Sequence, residues 1–255
     1  MSWFPISATY SVSSPVTTRD PSIIQYPPVT GPWYVAYTNG TSGQNPASTF
    51  TIISSNDLVN WSHITDVTVG NFTDVWAPEF FIDSDGSLHV AVVAGPTGTT
   101  AACGANTHLV FEVHPLTSNL AGSWSTFQSL LPSTVTCALD PYWIKTGSTY
   151  NLFYSNWTSG SNVIGYATAS SLLGPYTEQS SAGLTALGSG SEGPSVIPLG
   201  SGYRLYFDSG AAQINYSDNA AGDFVTWTAK QPVISGTPPR HGTVLFTAPW
   251  LFPSK

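Results

Sequence analysis

The chain has 255 residues, with 14 acidic against 6 basic side chains and a net charge of −8. An acidic balance of this kind excludes nucleic acid and an anionic membrane surface as partners. No apolar run approaches the ~20 residues of a membrane span.

Only 8% of the residues are charged, against ~25% in ordinary soluble domains, so Ser, Thr, Gly and Asn carry the solubility. With 41% hydrophobic and 13% aromatic residues there is ample material for a core, and the length suits one all-β domain. Scarce lysine and Asn-x-Ser/Thr sequons starting at Asn39, Asn60, Asn71, Asn156 and Asn215 fit an extracellular protein. The opening Met1-Ser2-Trp3-Phe4 does not read as a leader, so a secreted protein that has lost one is expected. Cys103 and Cys137 either form a disulfide, which would fit secretion, or remain two buried thiols.

Short apolar runs between Gly, Pro, Asn and Ser dominate, and long 3.6-residue periodicity is absent, which reads as all-β. In chain order, "ATYSVSS" at 8–14 is a lone strand. Then "DPSII" from Asp20 leads to "WYVAYT" from Trp33, "FTIISS" from Phe50 and a fourth element near Trp61. "APEFF" from Ala77 leads to "LHVAVVA", "HLVFEV" and an element near Trp124. "DPYWI" from Asp140 leads to "YNLFYS", "VIGYATA" and an element near Tyr176. "GPSVI" from Gly193 leads to "YRLYFD", "INYS" and an element near Trp227. "HGTVL" from His241 leads to "WLFP", where the chain stops. Four strands recurring every ~50 to 60 residues is the scale of a propeller blade.

The fifth unit lacks strands, and the segment at 8–14 supplies one. We therefore expect residues 1–255 to form a single five-bladed β-propeller, with the N-terminal strand closing the last blade and hiding its edge. A large sandwich would not explain the four-strand phasing.

The first strand of each blade lines a central channel, so the strand starts converge. Asp20, the Trp76-Ala77 pair, Asp140, Glu192 and His241 stand there. Three carboxylates meeting in a charge-poor chain would repel one another, a cost that structure alone does not require.

At these residues the sequence resembles the five-bladed propeller enzymes of glycoside hydrolase family 43 and its clan. The resemblance rests on "RDPSII", "SSNDLVNW", "VWAPEFF", "LDPYW", "IGYATASSLLGPY", "SEGPSV" and "HGTV", in the family's order over nearly the whole chain. It implies Asp20 as general base, Glu192 as general acid and Asp140 as the residue that tunes and orients the acid. It also implies an inverting, secreted hydrolase of arabinose- or xylose-containing plant polysaccharides, an α-L-arabinofuranosidase or arabinanase first. Inversion needs an acid at the leaving oxygen and a carboxylate holding water on the opposite face, with carboxyls roughly 6.5–9.5 Å apart. Asp140 would keep Glu192 protonated by charge repulsion. The alternatives are a fructan- or galactan-cleaving propeller, or a carbohydrate-binding propeller without catalysis.

Trp76, Tyr142 and Trp157 are candidates to stack on sugar rings, against a plain core role, and Arg240 is a candidate substrate contact. Trp143 reads as core. Glu79, one residue past Pro78, reads as structural. Asp74, Asp83, Asp85, Asp208 and Asp223 read as turn residues beside Gly or Ser. By resemblance, His241 helps hold a calcium ion near the axis, although calcium prefers oxygen ligands. The other histidines show no metal spacing. No organic cofactor is expected, and the expected partner is an oligo- or polysaccharide bound by a monomer.

Overall fold

The computed structural model describes residues 16–41, 45–95, 103, 107–157, 162–209 and 213–233. Within these residues the chain forms four antiparallel four-stranded sheets, each a meander in chain order. The first holds β1 (Val16–Gln25), β2 (Trp33–Thr41), β3 (Asn45–Ser55) and β4 (Ser62–Thr68). The second holds β5 (Asp74–Ile82), β6 (Leu88–Gly95), β7 (Leu109–Val113) and β8 (Gln128–Ser129). The third holds β9 (Ala138–Thr146), β10 (Thr149–Asn156), β11 (Val163–Ala169) and β12 (Thr177–Glu178). After one turn of helix, α1 (Ala182–Thr185), the fourth holds β13 (Ser191–Leu199), β14 (Gly202–Ser209), β15 (Gln213–Asn219) and β16 (Gln231–Pro232). The first strands β1, β5, β9 and β13 touch in sequence. This is the radial arrangement of an all-β propeller, and the four sheets are four of the five expected units; a fifth blade is not seen among the described residues. The segment at 8–14 and the unit beginning at His241 lie outside the described residues.

The continuous apolar run of β6 follows from its place between two blades. Val90, Val92 and Ala94 pack with Ala36, Phe50 and Ile52 of the first blade. Ala91 and Val93 point the other way and pack with Trp143 and Leu152 of the third. A third layer, around Phe153, Leu205 and Phe207, joins the third and fourth blades. Trp143 is core, as its sequence context suggests.

Each fourth strand is launched by the same local device. An aromatic ring at the end of the preceding turn donates a hydrogen bond back to a carbonyl three or four residues earlier. The pairs are Trp61 to Leu58 at 3.3 Å, Trp124 to Leu120 at 3.1 Å, Tyr176 to Leu172 at 3.0 Å and Trp227 to Phe224 at 3.0 Å. In the first and fourth blades an aspartate opens this turn. Asp57 accepts from the backbone of Val59 and Asn60, and Asp223 from Val225 and Thr226. These hydrogen bonds hold both carboxyls well below the usual carboxylate range.

Asp83, Asp85 and Asp223 occupy turns as expected. Asp74 and Asp208 do not. They lie in β5 and β14 at 3% and 2% exposure. Asp74 is buried because His108 and Trp76 hydrogen-bond its two oxygens at 2.7 and 2.8 Å. Such partners are what make burial of a carboxylate tolerable, and His108, 34 residues away, is one that local sequence does not display.

Candidate active site

The inner strands share one irregularity. The ladder between each first strand and its neighbour slips at the x-Pro step: between Arg19 and Ser22, between Trp76 and Glu79, opposite Phe153 and Ser155, and between Glu192 and Ser195. The residue before each proline is left-handed: Asp20 at φ 51°, Ala77 at 46°, Asp140 at 50° and Gly193 at 59°. Sterics drive a residue before proline toward extended backbone, and positive φ is rare outside glycine. A bulge of this kind re-aims a side chain. Only Gly193 adopts it without steric cost. Aspartate tolerates it better than most residues.

The four bulges surround one pocket, lined by Asp20, Pro21, Ala77, Pro78, Glu79, Asp140, Pro141, Gly193 and Pro194. The Asp20 and Asp140 positions are therefore equivalent points of two blades. Each is fixed by a hydroxyl from its own second strand. Thr38 donates to Asp20 Oδ2 at 2.8 Å and accepts from the Ala77 backbone N–H at 2.8 Å. Ser155 donates to Asp140 Oδ2 at 2.8 Å and accepts from the Gly193 N–H at 3.3 Å. Gly193 N–H also reaches Asp140 Oδ2 at 3.2 Å. Each hydroxyl thus ties a carboxylate to the bulge of the following blade.

Glu192 stands one residue before its bulge, at the position that Arg19, Trp76 and Leu139 hold in the other blades. It is not in the pocket wall itself. Asn162 directs its carboxylate, donating from Nδ2 to Oε1 at 2.6 Å, and Asn162 Oδ1 is held in turn by the Gly190 N–H at 2.9 Å. No sequence pattern pointed to Asn162, because it lies 30 residues upstream.

Trp76 is half-buried beside the pocket. Arg19 lies over its ring at 4.1 Å, and its indole N–H is tied to Asp74. Behind it His108 is fully buried, with its ring against Gly95, where a Cβ would come within 2.7 Å. Tyr142 sits one layer below the bulges, with Ser22, Glu79 and Ser195 in the equivalent places. Burial foremost, then the Glu79 carboxylate, push the Tyr142 phenol up, while a hydrogen bond with Ser195 pulls it down. Trp157 sits at the same end of the third blade, its N–H bonded to the Cys137 carbonyl at 3.0 Å. Its indole Nε1 is buried with no hydrogen-bond partner among the described residues. Arg240 and His241 lie outside the described residues. Glu79, read from sequence as a strand residue in a structural role, lies in the pocket wall. Its signal was available in the repeat: it stands where the other blades carry hydroxyls.

The propeller brings Asp20, Glu79 and Asp140 together at one pocket. The family 43-related glycosyl hydrolase model, described as a probable glycosyl hydrolase domain, matches residues 18–248. The chain belongs to this family and is a glycoside hydrolase. Among solved structures it is similar to a family 117 glycoside hydrolase of the marine bacterium Zobellia galactanivorans. That match has a TM-score of 0.69 at 14% identity over 90% of this chain and 74% of that one. An α-L-arabinofuranosidase from Lactobacillus brevis matches with TM-score 0.64 and 15% identity over 88% of this chain and 74% of that one. A Penicillium chrysogenum α-L-arabinanase in complex with arabinobiose matches with TM-score 0.61 and 16% identity over 88% and 68%. No curated protein matches the sequence significantly. At these identities the structural likeness speaks for the fold alone.

Proposed function

We propose that the chain is a secreted, inverting glycoside hydrolase of arabinose- or xylose-containing plant cell-wall polysaccharides, with α-L-arabinofuranosyl linkages as its first substrate. The observation that carries this reading is the single pocket onto which the Asp20 and Asp140 bulges open, with Glu192 directly preceding its Gly193-Pro194 wall. Asp20, held by Thr38, acts as general base and activates a water on one face of the sugar. Glu192, directed by Asn162, gives its proton to the leaving oxygen on the other face. The water's oxygen bonds to the anomeric carbon as the glycosidic bond breaks, and its proton goes to Asp20. Asp140 holds the acid's segment in register through its bond to the Gly193 N–H. Trp76, Tyr142, Trp157 and Arg240 are the proposed substrate contacts.

The ring has five blades in this reading, residues 1–255 being one catalytic domain that acts as a monomer. The two chain ends supply the fifth blade. The Cys103–Cys137 disulfide, with Cα atoms 5.5 Å apart, supports an oxidising, extracellular setting. The scheme requires no cofactor. A calcium near the axis at His241 is part of the proposal, and no step is routed through it.

The test is sugar release from arabinan, arabinoxylan, xylan, galactan and levan by the parent protein, Asp20→Asn and Glu192→Gln, with the anomers followed by NMR. We expect inverted arabinose or xylose, reduced about 10²–10⁴-fold in each variant. Retained configuration would remove the inverting assignment. Binding of a polymer by folded protein without turnover would favour a carbohydrate-binding propeller.

A further inference from the structure

Three donor atoms converge on the second blade, away from the pocket. His89 on β6 faces His114, just beyond β7, across the strand pair, with Glu112 opposite Ala91, diagonal to His89 and two residues before His114. Strand alternation puts all three on the face of Ala91, Val93 and Val110, which packs toward the third blade. Glu112 is 1% exposed. Its Oε1 lies 2.7 Å from His89 Nδ1 and 2.9 Å from His114 Nδ1, and the three donor atoms lie within 4.8 Å of one another. The His89 position pairs with Phe81, two residues along β5 from Glu79 of the pocket wall, or about 7 Å of strand, and none of the three lines that pocket.

We propose that His89, Glu112 and His114 form a binding site for a divalent transition metal ion, Zn²⁺ in the first instance. Two imidazoles and one carboxylate are the donor set of zinc, and a fourth position is left for water. A tetrahedral site with bonds of ~2.1 Å separates its donors by about 3.4 Å, so the two imidazoles need to draw back from Glu112 Oε1 by about 0.5–0.7 Å.

The supporting shell carries the inference further. A metal-ligating histidine is normally oriented through its other ring nitrogen. His89 Nε2 lies 2.8 Å from Ser87 Oγ, and that hydroxyl donates to Asp85 at 2.5 Å. The Ser87 proton being committed to Asp85, His89 Nε2 must be the donor to Ser87. His89 Nδ1 is then the ligand atom, and it is the one aimed at Glu112. His114 has its backbone N–H anchored by Ser125 at 3.0 Å. With its side chain 36% exposed, it leaves the fourth position open to water. Binding would clamp β6 to the segment after β7.

The experiment titrates chelator-treated full chain with ZnCl₂ by calorimetry, and with CoCl₂ by visible absorption, which reports tetrahedral ligation. We expect one ion per chain, a higher Tm with zinc, and affinity at least tenfold weaker in His114→Ala and Ser87→Ala. His114→Ala alters a half-exposed side chain, so its folding is checked by its melt without metal, and His241→Ala serves as the axis control. Absence of stoichiometric binding, equal binding by His114→Ala, or loss of binding only in His241→Ala would each overturn the proposal.

Discussion

Asp20, Ala77, Asp140 and Gly193 share one backbone conformation but not one side chain. Left-handed backbone costs an L-residue roughly 1–2 kcal/mol. The chain accepts this at two aspartates whose carboxylates the bulge points into the pocket. At Ala77 the conformation serves no carboxylate, so the prediction is sharpest there. Ala77→Gly relieves the backbone but loses a buried methyl, and stability should stay within about 0.5 kcal/mol of the parent. Gly193→Ala should cost about 1–2 kcal/mol by urea denaturation. If Ala77→Gly instead proves as costly as Gly193→Ala, the left-handed bulge is absent at that position. The aspartates were legible from the phase of the repeat. The reason aspartate stands before proline was not, because φ is decided by the ladder slip.

At the scale of elements, second strands support first strands. Thr38 and Ser155 each hold a carboxylate of their own blade and an N–H of the next. Ser155→Ala removes both at once, leaving the Asp140 and Gly193 groups to each other. We expect a loss of about 1–3 kcal/mol in stability. We also expect kcat to fall tenfold or more with little change in KM, since small misplacements of a catalytic group can cost 10²-fold. Stability loss with unchanged kcat would make Ser155 a purely structural link. The sequence showed where β10 runs but not this role. The residue pairs with a strand whose register slips by the bulge, so alternation alone gives the wrong facing residue.

At the scale of the molecule, neighbouring blades must be joined as well as packed. The Cys103–Cys137 disulfide ties the connection before β7 to the start of β9. At the other end of the same interface Lys145 of β9 reaches Asp83 after β5 at 2.6 Å, and Tyr150 also donates to Asp83. Burial alone would raise the Asp83 carboxyl, but the hydrogen bonds from Lys145, Tyr150 and Ser84 outweigh it and hold it well below 3.8. The Asp83 hydrogen bond, foremost, raises the Lys145 ammonium above 10.5. A depressed carboxyl stabilises above its ordinary value and stops doing so as pH falls below it. A raised ammonium stabilises below its ordinary value and stops as pH rises above it. The Tm difference between the parent and Asp83→Asn should therefore be flat from about pH 5 to 9 and shrink below about pH 4. A difference that persists undiminished at pH 3 would show that the clasp does not act through ionised Asp83.

The sequence by itself determined the strands, their grouping in fours and the all-β ring, because period-2 alternation, turn chemistry and a recurring unit are local or simply repetitive signals. It also determined which acids head the inner strands, because those follow from the phase of the repeat. Only the tertiary structure decided that Glu79 lines the pocket, that Asp74 and Asp208 are buried, and that Asn162 holds Glu192. It alone brought His89, Glu112 and His114 together. Each of these depends on partners tens of residues away or on a one-residue slip in register. A slip of one residue reverses the face on which every following side chain stands.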